Sequence, residues 1–336
     1  MDLHDLNFKI SVNKRYNFTL NRINMRIEEI YKLFKKKFDL VGIIDSKSYY
    51  QKAISLDKDA VKPPFSTMVV LGLAYPKRII KSSDEFAVPS FYTFGKDYHI
   101  VMKDMINDIV KDFDFNYYVG VDNHPYNERL AASLAGLGFL GKNQLIINSQ
   151  YGSYFFIGIV FIDINLKNQF TNDVIDDCGE CRKCIEACPT NALTDSGYNL
   201  LKCISFFNQE KKVLTNDEIQ KNYCLFGCDI CQLACPKNID KGMLIHPEFQ
   251  LSGKEKVKID DLFRLSNKDF INKYKDMAYL WKGKTILMRN ALTLLLNSNN
   301  QKYNDLIEKS ILNTSSSWYK ETAKQILDEL TKSSNL

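Results

Sequence analysis

Apolar positions first recur at helical spacing over residues 26–38, where Ile27, Ile30, Leu33 and Phe34 are interleaved with lysines and predict an amphipathic helix. Two short unbroken apolar runs follow, at 40–44 and 68–74, bounded by polar residues and proline as buried strands are. Helical spacing returns over 98–113. A strand is predicted at 117–121, a helix at 127–136 and a hairpin-like pair across 144–164. Beyond Pro236 the pattern turns almost wholly helical, with 259–274 and 285–296 forming one pair and 305–312 and 318–330 another. The polar turn Asn297-Ser298-Asn299-Asn300 joins them. Strands mixed with helices, then helix pairs, predict an α+β fold. A polar extension over 1–25 precedes a mixed α/β domain over 26–174, a cysteine-rich ferredoxin-like unit follows over 175–240, and a helical, HEAT-like region occupies 241–336.

Composition sets wide bounds. The chain has 336 residues, 45% hydrophobic and 25% charged, an ordinary soluble balance sized for two or three domains. No stretch approaches the ~20 apolar residues of a membrane span. Residues 1–14 carry neither an apolar signal region nor a twin-arginine pair, so the expectation is a cytoplasmic protein with reduced thiols. The net charge of +5 permits a polyanionic partner without requiring one.

All nine cysteines fall between Cys178 and Pro236. Cys178, Cys181, Cys184 and Cys188 precede Pro189 in a C-x2-C-x2-C-x3-C-P run, and Cys228, Cys231 and Cys235 precede Pro236 in the same run with its first member displaced. In two-cluster ferredoxins the last cysteine of each run ligates the other cluster. That rule assigns Cys178, Cys181, Cys184 and Cys235 to one 4Fe–4S cluster, and Cys188, Cys228 and Cys231 with one more distant thiolate to a second. Cys203 and Cys224 compete for the last place. Neither fits by spacing alone; Cys203 is favoured, leaving Cys224 as a buried thiol. Zinc prefers closed sites built on paired C-x2-C knuckles, which these triply spaced runs are not.

Outside the cysteines the densest chemistry is Asp122-Asn123-His124-Pro125-Tyr126-Asn127-Glu128-Arg129, followed by Leu137-Gly138-Phe139-Leu140-Gly141-Lys142-Asn143. An acid at the end of a strand, before a proline turn, stands at a sheet rim where sites gather, and Asp122 is the candidate proton donor. A partly desolvated pocket there would raise its pKa. The alternative is that Asp122 caps the following helix. Gly136, Gly138 and Gly141 would let the backbone approach a large flat ligand. They are not a phosphate loop, since they follow a helix and precede a strand. Tyr92, Gly95, Lys96, Asp97, Tyr98 and His99 form a second polar cluster, in which His99 is a cofactor contact or a satisfied structural histidine.

These segments resemble the epoxyqueuosine reductases, cobalamin- and iron–sulfur-dependent enzymes of tRNA queuosine modification. The resemblance is carried by Tyr92–Thr93-Phe94-Gly95-Lys96-Asp97-Tyr98-His99, by Asp122 through Asn143, by Gly152-Ser153-Tyr154-Phe155-Phe156-Ile157-Gly158, by Lys202-Cys203-Ile204-Ser205 and by Phe226-Gly227-Cys228-Asp229-Ile230-Cys231-Gln232. It implies a base-off cobalamin without a histidine ligand to cobalt, lying between residues 26–174 and the cluster domain. It makes Asp122 the general acid, Cys203 the fourth ligand of the second cluster and Ser205 a cobalamin contact. His99, Lys142, Ile146 and Ile157 would border the corrin. The implied partners are a tRNA with a GUN anticodon and a flavodoxin- or ferredoxin-like electron donor, the enzyme acting as a monomer. Lys282, Lys284 and Arg289 are the candidate phosphate contacts of the helical region. The chain departs from the family at Asn123, His124, Tyr126 and Asn127, around the acid. Two other classes share part of these features: a corrinoid reductive dehalogenase, and a non-catalytic electron-transfer protein, which would leave the first 175 residues without a purpose.

Overall fold

The computed structural model describes residues 27–165 and 177–332. The polar extension over 1–25 lies outside the described residues.

A four-stranded antiparallel sheet forms the first half, in the order Leu40–Asp45, Thr67–Ala74, Phe155–Ile162, Tyr117–Gly120. Its two central strands are apolar at nearly every position because both faces are covered. On one face, Ile27, Ile30 and Phe34 of helix Ile27–Lys35 and Val101, Met102 and Ile106 of helix Tyr98–Val110 pack on Val69, Leu71 and Val160. On the other, Tyr49 and Ala53 of helix Ser46–Leu56 and Ala131, Ala132 and Ala135 pack on Met68, Val70 and Phe161. The helix Ser46–Leu56 carries no clear periodic signal in the sequence. It starts because the carboxylate of Asp45 accepts the Ser48 N–H at 2.8 Å.

Three sequence expectations need correction. The apolar run before Ile164 does not fold back as a hairpin. Ile146–Ile147 pairs with Phe139–Leu140, whereas Phe155–Ile162 enters the centre of the main sheet, where its two apolar faces are both buried. The helix expected over 259–274 is two helices, Ile259–Arg264 and Asn267–Lys273, because the Ser266 hydroxyl accepts the Asp269 N–H at 3.1 Å and begins a new helix there. Beyond Pro236 the chain is not helical at once. Residues 240–256 run back over the sheet domain, with His246 2.7 Å from the Asp39 carboxylate and Lys77 donating to the Gly242 carbonyl, before Val257–Lys258 pairs with Phe86–Ala87.

The C-terminal helices Lys284–Asn297, Asn304–Asn313 and Ser317–Lys332 pack together. Their core also takes in Ile204, Phe207, Leu214, Ile219, Leu225 and Phe226, so one hydrophobic core crosses the boundary drawn at 240. The cysteine-rich segment docks on the sheet through buried polar groups. The Gln232 amide donates to the Tyr75 hydroxyl and the Ser153 carbonyl, each at 2.9 Å, and Asn238 receives the Ser153 N–H at 2.8 Å. Buried amides with every partner in place fix one orientation between the two halves.

Candidate functional site

The cysteines fall into two groups. Cys178, Cys181, Cys184 and Cys235 line one small cavity with Lys142, Asn143 and Pro236. Cys188, Cys203, Cys228 and Cys231 together line part of a larger cleft of about 320 Å³. The short helix Lys183–Ala187 carries Cys184 of the first group and ends at Cys188 of the second, and Ile230–Leu233 carries Cys231 of the second group just before Cys235 of the first. Four thiols spread around a cavity suit the four iron corners of a cubane, whereas one zinc ion needs all its sulfurs at about 2.3 Å from a single point. Among the described residues no three Cys, His, Asp or Glu side chains converge as a single ion would need. Cys224 is outside both groups: buried, it donates to the Phe226 carbonyl at 3.3 Å and the Val88 carbonyl at 3.5 Å, and burial pushes its thiol pKa well up.

The same cleft is lined by Tyr75, Tyr92, Phe155 and Phe156 of the sheet domain, by residues 143–145, and by Ile204 and Ser205. Flat aromatic walls and a few polar groups suit a large planar ligand. The three described histidines are each bound to a carboxylate instead of facing the cleft: His99 to Asp97 and Asp122, His124 to Glu128, His246 to Asp39.

Behind this wall stands the acid. The Tyr98 ring is stacked between His99, 3.9 Å away, and Phe156, 4.0 Å away, so one aromatic layer joins His99 to the cleft lining. His99 Nε2 lies 3.0 Å from Asp122 Oδ2, and its Nδ1 lies 2.6 Å from Asp97 Oδ1. Burial opposes a charged ring, yet the bonds to Asp122 and Asp97 outweigh it, and the His99 pKa is pushed up to about 9. Asp122 corrects the expectation of a raised pKa. The hydrogen bond from His99 exceeds the opposing effect of burial and holds the carboxyl below its usual range. At neutral pH the proton of this pair therefore resides on the imidazole.

The loop that carries the acid is tightly held. Asp122 and Asn123 have positive φ, 49° and 35°, the left-handed region that Asp and Asn enter more readily than other side chains. The Asp122 N–H donates to Glu128 Oε1 at 2.9 Å, and the same oxygen meets His124 Nε2 at 2.9 Å. His124 is tucked beneath the strand end, where a Cβ on Gly120 would come within 2.6 Å of its ring. The following helix is capped by Asn127, whose side chain accepts the Leu130 N–H at 3.0 Å. Capping is thus the work of Asn127, not Asp122. Three of the four departures around the acid, His124, Tyr126 and Asn127, are spent on holding this loop: the Tyr126 ring packs on Phe161 and its N–H bonds His124 Nδ1 at 3.2 Å.

Other sequence candidates lie elsewhere. Ser205 does line the cleft. Lys142 does not: its Nζ donates to the Gly179 and Cys181 carbonyls at 2.8 and 3.1 Å, and its N–H to Cys178 Sγ at 3.4 Å, tying it to the first thiol group. Ile146 and Ile157 pack in the core beneath the helix Glu128–Leu134, and His99 is one ring removed from the cleft. Gly138 serves protein packing, since a Cβ there would meet the Ile147 carbonyl at 2.4 Å. Arg289 is fully buried. Its guanidinium donates to the carbonyls of Phe207, Asn208, Glu210 and Lys212, which rules out a phosphate contact. Lys284 is buried too and donates to the Leu265 carbonyl. Lys282 alone of the three reaches the surface, lying over the half-exposed Trp281 ring at 4.0 Å. The structure also gives roles to two groups that the sequence placed in these clusters without one: Glu128 as the anchor of the acid loop, and Asp97 as the second partner of His99. Asp97 is the N-cap of helix Tyr98–Val110 and bonds both the His99 N–H and the His99 ring.

Comparison with known proteins agrees with this organisation. Residues 177–238 match the family model of a 4Fe–4S double cluster binding domain. The chain is 33% identical over 264 residues to the epoxyqueuosine reductase of Lactococcus garvieae, covering 73% of this chain and 74% of that protein. It is 34% identical over 247 residues to the Bacillus subtilis epoxyqueuosine reductase, covering 69% of this chain and 63% of that one. The solved epoxyqueuosine reductase of Streptococcus thermophilus superposes with a TM-score of 0.78 at 27% identity, over 91% of this chain and 90% of that one.

Proposed function

The chain belongs to the epoxyqueuosine reductase family, and we propose that it reduces epoxyqueuosine to queuosine at the wobble position of a tRNA with a GUN anticodon. The observation that carries this reading is the Asp122–His99 pair, held one aromatic layer from a cleft that four thiols face. The reaction turns an epoxide into an alkene. Two electrons and two protons are taken up, and the oxygen leaves as water.

In this reading Cys178, Cys181, Cys184 and Cys235 hold one 4Fe–4S cluster, and Cys188, Cys203, Cys228 and Cys231 a second. Ser205 and the walls Tyr75, Tyr92, Phe155 and Phe156 would receive a cobalamin. Bound together, these groups supply the two electrons, drawn from a flavodoxin- or ferredoxin-like donor. The residues of the chain manage the proton. His99 stores it, Asp97 fixes the ring, and Asp122, exposed on one side, presents Oδ2 to the oxygen that gains charge as the epoxide opens. Glu128 holds the backbone of Asp122 by accepting its N–H.

Residues 26–174 form the catalytic and cobalamin-binding domain, 175–240 the cluster domain and 241–336 a HEAT-like region that contacts the tRNA. Lys282 is the phosphate contact that this surface offers. Among the described residues no helix is long and apolar enough to cross a membrane, and the enzyme acts as a cytoplasmic monomer.

The deciding experiment is anaerobic turnover of epoxyqueuosine-containing tRNA by protein loaded with both cofactors, read by nucleoside mass spectrometry. Queuosine formed by the wild type and lost in Asp122→Asn, with cofactor content unchanged, is the expected result. A fully loaded wild type that yields no queuosine overturns the assignment.

A further inference from the structure

The second group of thiols is distinguished by the hydroxyls around it. The Tyr223 ring is 41% exposed, yet its hydroxyl is turned inward, 3.4 Å from Cys228 Sγ, while accepting the Asp229 N–H at 2.7 Å. Thr190 Oγ1 stands 3.6 Å from Cys188 Sγ. Tyr198 and Cys203, the third thiol of the group, line the cleft together. In the first group, by comparison, Cys178 takes its hydrogen bond from a backbone group, the N–H of Lys142.

A thiolate bound to iron has no proton, so each of these hydroxyls must then be the donor. Hydrogen bonds to the sulfurs are among the factors that set an iron–sulfur potential. A one-electron reduction adds negative charge to the cluster and its thiolates, and a donor that stays in place stabilises the reduced form more than the oxidised form. No proton moves. The hydroxyl proton stays on its oxygen, and the electron comes from the external donor.

We propose that Tyr223, together with Thr190 and Tyr198, tunes the reduction potential of the cluster held by Cys188, Cys203, Cys228 and Cys231, raising it above the value that the thiolates would give without hydroxyl donors. This rests on the ligand assignment given under the proposed function. The consequence is directional: electrons entering at the first cluster are drawn toward the one that faces the cleft. The Asp229 N–H occupies a lone pair of the Tyr223 oxygen and leaves its proton free to point at Cys228 Sγ.

The test is a redox titration of the reconstituted holoprotein, followed by electron paramagnetic resonance of the reduced clusters, on wild type and Tyr223→Phe. The expected result is that one of the two midpoints falls by on the order of a tenfold change in the reduction equilibrium, which is about 59 mV for one electron, and that the other stays put. Two unmoved midpoints in a variant with full iron content overturn the proposal, as does an equal shift in both. If Tyr223→Phe loses iron, the same titration on Thr190→Val and Tyr198→Phe decides in the same way. A wild type whose iron content fits only one cluster removes the premise and overturns the proposal through the ligand assignment, an outcome that the iron count separates from an unmoved midpoint.

Discussion

His99 Nε2 and Asp122 Oδ2 lie 3.0 Å apart, and the opposite ring nitrogen of His99 is engaged by Asp97 at 2.6 Å. A single imidazole thus bridges two carboxylates, and its position decides which group carries the proton. With the His99 pKa at about 9 and Asp122 held low, the pair is an ion pair at neutral pH.

A pH dependence follows. His99 has a raised folded-state pKa, so its contribution to stability is complete below its ordinary value of 6.5 and is lost as pH rises through about 9. Asp122 has a depressed pKa, so its contribution is present above 3.8 and is lost as pH falls below that value. Turnover is expected to fall on the alkaline side with an apparent pKa near 9. His99→Gln should remove that limb and lower kcat while leaving the cobalamin spectrum intact. An alkaline limb that survives His99→Gln would locate the titrating group elsewhere.

Glu128 is a positioning residue for the acid. Glu128→Ala removes the acceptor of the Asp122 N–H and the partner of His124 together. The loss of a hydrogen bond of about 1–2 kcal/mol corresponds to roughly a tenfold fall in kcat, with KM for tRNA little changed. Steady-state kinetics on Glu128→Ala and Glu128→Gln read this directly, and a change confined to KM would contradict it.

The two buried cations of the C-terminal region are structural. Arg289, whose pKa burial lowers to about 10, binds four backbone carbonyls that would be left unsatisfied without it. Arg289→Ala should cost on the order of 3 kcal/mol in chemical denaturation. Lys282→Ala should leave stability unchanged and reduce the slope of log affinity for tRNA against log salt by about 0.7–0.9. An unchanged salt slope would remove Lys282 from the interface.

Cysteine replacements distinguish ligands from bystanders. Cys203→Ser should yield protein with one cluster, and Cys224→Ala protein with both, measured as iron content and by electron paramagnetic resonance. Loss of a cluster in Cys224→Ala would reopen the choice between these two residues.

Chemistry that depends on spacing along the chain was legible from the residues alone. The cysteine runs fold locally, around short helices that set the distance between successive thiols, so the runs could be read from sequence, as could strands over 40–44 and 68–74 without their pairing. The family was recognisable for the same reason, because its motifs are contiguous. Charge and pairing over long separations were not legible. Nothing in the composition of residues 282–289 tells Lys282, on the surface, from Arg289, in the core, because burial is decided by the carbonyls of residues 207–212, which the fold brings to it. The pKa order of His99 and Asp122 was likewise hidden, since residues 23 apart in sequence meet only when the helix Tyr98–Val110 packs beside the end of strand Tyr117–Gly120. A hydrogen bond between such groups depends on ångström-scale placement, and tertiary packing alone supplies that placement.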